Sequence, residues 1–338
     1  MWVGLGPHAL DPPGAPAVGD HSLQSPLQSL DIAIGAVGAL PQPGLLPADH
    51  PPASDAEVAL AVASVRRGDA VRLLGGDVLL WPGLPGLVAQ IRAAGAAHVT
   101  AQTTALPLLR PGVAAAVRAM GISGLAVPLF AAEADAHDYL VGRPGAFMAS
   151  LRGMRAARAA GLRLQLIAVA LRPSMRSLES LVARALPLPI EALQVVIPGP
   201  GSDAPTAWLP HPALAAPFAQ RAASLALAAR RGVSVRGLPP CLLGEVGSRA
   251  VELSPPLPAL DAVGAPLAAA IARQFMTQAV DACDDCRWRA CCGGVSVRQL
   301  ERFGAAGIAA RKDAPPRGVD VMRHRTETDT RTVSADVL

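Results

Sequence analysis

The sequence predicts an α/β fold followed by a small cysteine-rich metal-binding domain. Three observations lead to this prediction. Apolar segments of strand length alternate with helical segments along most of the 338 residues. Several helical segments end at a glycine just before an apolar segment, which is typical of strand–helix units whose strands lie parallel in one sheet. Four of the five cysteines are clustered near the C-terminus.

The composition favours a protein with a large core and argues against two classes of partner. Hydrophobic residues make up 51% of the chain and charged residues 17%. No uninterrupted apolar run reaches the roughly 18 residues that a membrane span needs, so we expect no membrane insertion. The net charge of +4 is carried by dispersed arginines, and only 3% of residues are aromatic. Nucleic-acid binding, which needs clustered basic residues and stacking platforms, is therefore not supported.

The first residues lack a basic segment, an apolar stretch and a small-residue cleavage site in the order that a secretion signal requires. We therefore expect a cytoplasmic location. In a reducing cytosol, clustered thiols stay free to bind metal, whereas in a secreted protein they would more naturally form disulfides.

The elements follow one another in a regular order. Residues 1–24 are rich in proline and glycine and predict an N-terminal arm. A first strand is predicted at residues 30–34, then a loop at 35–52 and a helix that starts at Ser54 and ends before Gly68. The later predicted strands are 70–74, 98–104, 124–129, 163–170 and 192–197, and the helices between them are 86–94, 107–120, 145–160 and 177–185. This pattern amounts to about six strand–helix units.

The C-terminal third of the chain predicts a different organisation. A long alanine-rich helix at residues 212–231 leads to an apolar segment at 233–236 and then to Cys241. A second helix, at 264–279, precedes the cysteine cluster. Residues from 311 onward are polar and aperiodic, which predicts a disordered tail. The expected domains are the arm at 1–24, a barrel at 25–236, a metal-binding domain at 237–310 and the tail at 311–338.

The clustered cysteines have the spacing of metal ligands. Cys283 and Cys286 are separated by two residues, so their thiols lie one tight turn apart. Cys292 is followed by two glycines that allow a third thiol to reach the same centre, and Cys241 can supply the fourth. An iron–sulfur cluster and a tetrahedral zinc ion both use four thiolates. The spacing alone does not separate these two centres, and free or disulfide-bonded thiols are a third interpretation.

Short motifs lie at the ends of the predicted strands and in the cysteine-rich segment. The second strand ends in Gly75-Gly76-Asp77 and the third in Thr103-Thr104-Ala105. After the fourth strand come His137-Asp138, then Gly142 and Pro144-Gly145-Ala146-Phe147. The C-terminal segment combines Cys283, Cys286, Cys292-Gly293-Gly294-Val295 and Phe303-Gly304.

These motifs resemble those of the radical S-adenosylmethionine (radical SAM) family, in particular members with a C-terminal auxiliary iron–sulfur domain of the SPASM or twitch kind. The resemblance covers residues 30–304 and implies a partial (β/α)6 TIM-type barrel at 25–236. It also implies one auxiliary [4Fe–4S] cluster, held in the domain at 237–310 by Cys241, Cys283, Cys286 and Cys292. Cys291 is interpreted as a non-ligand, because in the family pattern a glycine stands two residues after the ligand, as Gly294 does after Cys292.

The chain departs from the family at the loop after the first strand. Radical SAM enzymes hold their SAM-cleaving cluster there with a Cys-x-x-x-Cys-x-x-Cys loop, whereas no cysteine precedes Cys241 in this sequence. The resemblance therefore implies that SAM cleavage is absent. Gly75, Gly76 and Asp77 correspond to the family's Gly-Gly-Glu turn, which contacts SAM, and we interpret them as a vestigial SAM site or simply as a strand-to-loop turn. We do not expect SAM as a cofactor.

The resemblance implies a pseudoenzyme. Such a protein would be a non-SAM-cleaving partner or scaffold for a catalytic radical SAM enzyme, a peptide substrate or both, in the maturation of ribosomally synthesised peptides (RiPPs) or other natural products. Two alternatives remain open: an active enzyme that uses SAM or the auxiliary cluster, and a structural zinc protein. His137 and Asp138 are interpreted as residues that cap the next helix and hold a loop, not as a general acid–base pair.

Overall fold

The computed structural model describes residues 29–37, 40–45, 55–250, 277–289, 292 and 294–315. Its main feature is a seven-stranded parallel sheet whose strands follow the order of the chain. The strands are β1 Ser29–Val37, β2 Ala70–Gly76, β3 His98–Gln102, β4 Gly124–Leu129, β5 Arg163–Val169, β6 Ala192–Val196 and β7 Gly232–Arg236. The predicted α/β fold is confirmed, and β7 adds one strand to the six that were expected.

Helices connect consecutive strands. They are α1 Asp55–Ala63, α2 Leu84–Ala93, α3 Val113–Ala119, α4 Ala134–Val141, α5 Ala146–Ala159, α6 Leu178–Ala185 and α7 Pro212–Ala228, and α8 Gly247–Ala250 follows β7. Parallel strands joined in sequence by right-handed crossovers place all the helices on one face of the sheet. The sheet then curls around its other face, as in a partial (β/α) barrel.

Contacts across the inner face of the sheet show this curl directly. Arg72 of β2 donates a hydrogen bond from Nη1 to Oε1 of Gln194, at 3.3 Å, although Gln194 lies on β6, four strands away. Both residues are buried. Alternate residues of a strand point to opposite faces of a sheet. The neighbours of these residues accordingly lie on the outer face, where Leu73 and Leu193 pack in the main apolar core against the helices.

The inner face is partly filled by a second, smaller apolar cluster. Ala126 of β4 and Ile167 of β5 contribute to it from the sheet. The remaining members come largely from the loops and helices that follow the strands, and they include Phe130, Leu140, Leu171, Ala204 and Leu209, with Leu40 and Leu45 packed against them. The chain's own side chains therefore occupy much of the barrel mouth.

Three sequence-based element predictions need correction. The helix predicted at 107–120 is a 3-10 turn, Leu106–Leu109, followed by α3, because Gly112 adopts a φ of +80° that interrupts the helix. The segment between β4 and α5 was predicted as a loop but contains α4. The helix predicted at 264–279 lies mostly outside the described residues, but its last part is β8 Thr277–Gln278, which pairs antiparallel with β9 Val295–Ser296.

The C-terminal region continues from β9 into α9 Val297–Phe303. The predicted N-terminal arm lies outside the described residues, as does the tail beyond residue 315. Residues 311–315, which were predicted to begin the tail, are described and pack against the cysteine-bearing segments. Within the described ranges, no helix combines the length and apolar character that would let it cross a bilayer.

Candidate metal centre

Cys241 is held at the end of β7 by backbone geometry. Gly237 turns the chain with a φ of +88°, and a Cβ atom there would lie 2.1 Å from the carbonyl oxygen of Ile197, so only glycine fits. The 3-10 turn Pro240–Val246 follows and carries Cys241. Gln220 of α7 donates from Nε2 to the carbonyl oxygen of Leu242 at 2.7 Å, which fastens this turn to the barrel.

The other thiols lie on tight turns wound around one tryptophan. The 3-10 turn Asp281–Cys283 ends at Cys283, and the Cys286 amide donates to the Cys283 carbonyl at 3.2 Å. The Cys292 amide donates to the carbonyl of Trp288 at 2.8 Å, and Trp288 itself is 1% exposed. A chain folded this tightly brings its cysteine side chains to the same side of the buried indole.

Gly294 permits the close approach of the β8–β9 ladder beside these turns. Its φ is +97°, and an added Cβ would lie 2.3 Å from the carbonyl oxygen of Gln278. The sequence motif of paired glycines after Cys292 thus reflects a backbone requirement at Gly294.

The structure brings all four predicted ligands to one small cavity of about 20 Å³. Its walls are the thiol-bearing residues together with Pro239, Pro240, Trp288, Gly294, Val295, Ile308, Ala309 and Arg311. None of the four cysteines forms a disulfide within the described part of the chain. The space is too small for an ordinary substrate molecule, and Cys291 lies outside the described residues.

Backbone amides surround the sulfur atoms. The amide of Gly294 donates to Sγ of Cys292 and the amide of Arg311 donates to Sγ of Cys286, both at 3.4 Å. Cys241 receives a backbone hydrogen bond from Ala309. Amides that point at sulfur favour the thiolate form, which is the form that binds metal.

Burial acts in the opposite direction on two of these thiols, Cys241 and Cys292. It raises the pKa of the Cys241 thiol, and it raises the pKa of Cys292 to about 11, to which the neighbouring cysteines contribute. Binding of a cation would release the protons of these thiols and favour the thiolate form. Across the described residues, no three His, Cys, Asp or Glu side chains form a group that could hold one metal ion.

The Gly75-Gly76-Asp77 turn lies at the carboxyl end of β2, where the resemblance predicts a vestigial SAM site. Gly75 and Gly76 have φ values of +137° and +72°. The buried carboxylate of Asp77 accepts hydrogen bonds from the Thr103 hydroxyl at 2.6 Å, from the Thr104 amide at 3.1 Å and from the Thr104 hydroxyl. Burial raises the pKa of Asp77, partly offset by these bonds. Both carboxylate oxygens are thus engaged in joining β2 to β3.

Residues 40–45, the described part of the loop after β1, overlap positions 35–43, where the resemblance places the cluster cysteines of the family. Gln42 accepts a hydrogen bond from Nε2 of Gln102 at 2.8 Å. The amide of Gly44 donates to Oδ1 of Asp203 at 2.6 Å, and a Cβ at Gly44 would lie 2.3 Å from the ring of Pro198. This loop, at residues 40–45, therefore closes against the loops that follow β6.

His137 and Asp138 lie on α4, a helix that was not predicted. The Asp138 carboxylate accepts hydrogen bonds from the amides of Gly145 and Phe147, so it caps α5 as expected. His137 is buried between Phe130 and Phe147, whose ring centroids lie 5.8 and 5.4 Å from the imidazole.

The surroundings of His137 do not suit proton transfer. Burial lowers the pKa of His137 to about 4. Its Nδ1 lies 3.5 Å from Oδ1 of Asp138, and neither ring nitrogen has a well-formed hydrogen bond to a described residue. These surroundings favour a packing role for a neutral imidazole.

Comparison with known proteins gives structural likeness alone. No family model matches the chain, and no curated protein matches its sequence. Among solved structures, SuiB of Streptococcus suis bound to precursor peptide SuiA is similar with 13% identity and a TM-score of 0.48, over 62% of this chain and 48% of that chain. SuiB bound to S-adenosylmethionine is similar with 16% identity and a TM-score of 0.46, over 62% and 47%.

A third solved structure is native anSMEcpe with bound AdoMet and Cp18Cys peptide, with 13% identity and a TM-score of 0.45, over 62% of this chain and 63% of that chain. The matched region spans about half the length of the SuiB chains. Likenesses at this level do not bear on the activity of this chain.

Proposed function

We propose that this chain binds one auxiliary [4Fe–4S] cluster through Cys241, Cys283, Cys286 and Cys292, does not cleave SAM, and serves as a partner or scaffold in peptide maturation. The observation that carries the proposal is a contrast between two sites. Cys241 and three cysteines from the distant C-terminal cluster line one cavity, whereas the loop after β1 contains no thiol.

The residues around the cavity suit an iron–sulfur cluster. Four thiolates complete its ligand set, and hydrogen bonds to the sulfurs are among the features that tune its reduction potential. A zinc ion would draw four thiolates to about 2.3 Å from one point. In a cluster, each thiolate binds a separate iron atom, so the ligands stay further apart. Four thiols around one cavity are compatible with either centre, and the motif resemblance is what favours the cluster.

When bound, such a cluster supplies one-electron transfer. The protein's own residues set its surroundings. Trp288 and Val295 are buried against the cavity and limit access of water. The amides of Gly294 and Arg311 donate to the ligand sulfurs and would stabilise their negative charge.

The arrangement of the barrel mouth supports the absence of SAM chemistry. Without thiolates after β1 there is no site for the cluster that injects an electron into the SAM sulfonium. The carboxylate of Asp77 is already shared between Thr103 and Thr104. The peptide-maturation context and a catalytic radical SAM partner rest on the motif resemblance alone, because a fold does not determine a function.

Metal analysis and SAM titration test the proposal. After anaerobic purification and reconstitution, we expect about four iron and four sulfide per chain, with thiolate-to-iron charge-transfer absorbance. Calorimetric titration should detect no SAM binding. Stoichiometric zinc in place of iron would instead support a structural zinc protein. Tight SAM binding would favour the alternative in which the barrel remains enzymatic.

Co-purification tests the partner role separately. The chain should be retained by a radical SAM enzyme encoded beside it, and this retention should persist when SAM is left out. Failure to bind either that enzyme or its peptide substrate would overturn the scaffold role, while the metal analysis would stand.

A further inference from the structure

The side chain of Arg311 contacts the segment that carries Cys241. The guanidinium donates from Nη1 to the carbonyl oxygens of Pro240 and Gly244, at 3.0 and 2.5 Å. These two carbonyls lie on either side of Cys241 in the 3-10 turn. The Arg311 side chain is only 10% exposed. Its hydrogen bond to Pro240 is partly buried, whereas the one to Gly244 lies at the surface.

Two further contacts hold the guanidinium in place. Nε and Nη2 donate to the two carboxylate oxygens of Asp313 at 2.9 and 2.6 Å, which is the paired geometry that fixes the plane of an arginine. The guanidinium carbon lies 4.3 Å from the centroid of the Trp288 ring. Nε1 of Trp288 in turn donates to the carbonyl oxygen of Asp313 at 3.1 Å.

The main chain of Arg311 contacts the other side of the cavity. Its amide donates to Sγ of Cys286, at 3.4 Å, and its carbonyl accepts from the amide of Arg287 at 2.9 Å. One residue therefore bridges the turn that carries Cys241 and the turn that carries Cys286. These cysteines are separated by 45 positions in the sequence (286 − 241).

We propose that Arg311 is a positioning residue that holds Cys241 against the other three thiols, and that residues 311–315 are part of the metal-binding domain. This inference rests on the proposed cluster site. Arginine suits the role because its five donors lie in one plane, so it bonds two carbonyls and a carboxylate while it stacks on the indole. The ammonium of lysine cannot reproduce that set of contacts.

The rate of thiol alkylation in metal-free protein tests the positioning role of Arg311 in the absence of a cluster. In Arg311→Lys we expect alkylation of Cys241 by iodoacetamide to accelerate about tenfold, the effect of losing one charge-assisted hydrogen bond. Cys283, which Arg311 does not contact, should change much less. The control is Arg289→Lys, because Arg289 pairs with Asp284 in the same region and contacts neither turn carbonyl. Equal Cys241 rates in wild type and Arg311→Lys would overturn the inference.

The type of cluster in reconstituted protein gives a second test. If Arg311 acts by positioning Cys241, variants of the two residues should have the same effect on the cluster. Both Arg311→Ala and Cys241→Ala should favour three-iron clusters, identified by electron paramagnetic resonance after oxidation. The double variant, with both substitutions, should lose iron to a chelator no faster than Cys241→Ala alone. The reason is that the effects of two substitutions are not additive when both residues act on one contact. Additive losses would indicate general structural damage and contradict the positioning role. Wild-type protein that binds no iron would overturn the proposed function, and the alkylation rates would then still decide the role of Arg311.

Discussion

The loop after β1 and the cysteine-bearing turns show two different ways to complete a region of this fold. Residues 40–45 fill the barrel mouth with their own contacts, through Gln42, Gly44 and the apolar side chains of Leu40 and Leu45. The turns that carry Cys241, Cys283, Cys286 and Cys292 instead surround a cavity with thiols and amide donors. Hydrogen bonds and packing therefore complete the first region, whereas the buried thiols of the second are where we propose that a metal centre supplies positive charge.

Removing one of the four thiols should have the largest effect on the difference between these two regions. Cys283→Ala should lower the iron content below that of the wild type, and limited proteolysis should then cleave residues 277–315 faster while the barrel stays resistant. The physical reason is that the binding free energy of a metal centre is folding free energy for so small a domain.

The matched control is Cys291→Ala, which removes a neighbouring thiol that is not among the proposed ligands. It should keep both the iron and the protease resistance. Full iron content in Cys283→Ala would contradict the proposed ligand set.

The free energy of unfolding of the barrel should fall at low pH because of His137. Burial lowers its pKa to about 4 in the folded chain, from the usual 6.5 of an exposed histidine. The stability that the neutral imidazole contributes is fully present above pH 6.5 and is lost as the pH falls toward 4. The expected loss in the free energy of unfolding is about 3 kcal/mol.

Denaturant unfolding at pH 7, 5 and 4 measures this loss. His137→Leu keeps an apolar group between Phe130 and Phe147 and should flatten the dependence in that range. An equal pH dependence in wild type and variant would show that other groups control the acid response.

A third change tests how tightly the β1 loop is packed. Gly44→Ala places a Cβ 2.3 Å from the Pro198 ring at a φ of +87°. We expect it to lower the free energy of unfolding by about 2–3 kcal/mol, from the clash together with the left-handed backbone.

Gly68→Ala is the matched control, because Gly68 has a similar φ of +94° and no atom within 4 Å of the added Cβ. It should cost only about 1 kcal/mol, the backbone contribution alone. Urea unfolding measures both losses in the free energy of unfolding. Equal losses in the two variants would mean that residues 40–45 are loosely packed and do not fill the barrel mouth.

The smallest expected effect concerns the cap on α5. Asp138→Ala removes the acceptor for the amides of Gly145 and Phe147 and should destabilise the chain by about 1 kcal/mol. Asp138→Asn, which keeps one acceptor oxygen, should recover part of this loss in a thermal unfolding experiment. A loss that Asn does not reduce would indicate that the negative charge, and not the acceptor, is what matters.

The sheet could be predicted from the sequence because its signals are local. Buried parallel strands produce continuous apolar runs, and the glycines that end the preceding helices mark where each strand begins. Gly95, Gly121 and Gly161 all have positive φ in the structure, at such positions. The missed helix α4 has a weaker signal, since its sequence, Ala134–Val141, is only eight residues long and has two aspartates and a histidine among its apolar residues.

The cysteine site could be predicted in part for the same reason. The spacing of Cys283, Cys286 and Cys292 is a local pattern, and Gly294 marks a position where two backbone segments approach closely. Arg311 has no such signal. Its segment is polar and aperiodic, and its role arises from contacts with Pro240 and Gly244, about 70 residues earlier in the chain, which tertiary packing alone determines.

The most direct test of the central claim is the reductive cleavage of SAM by the reconstituted protein. Dithionite should bleach the absorbance of the cluster, showing that it accepts an electron, while no 5′-deoxyadenosine forms above the level of a sample without protein. That result is predicted because the proposed cluster would be held by Cys241, Cys283, Cys286 and Cys292, whereas no cysteine precedes Cys241 in the chain. Repeated turnover of SAM to 5′-deoxyadenosine would contradict the account.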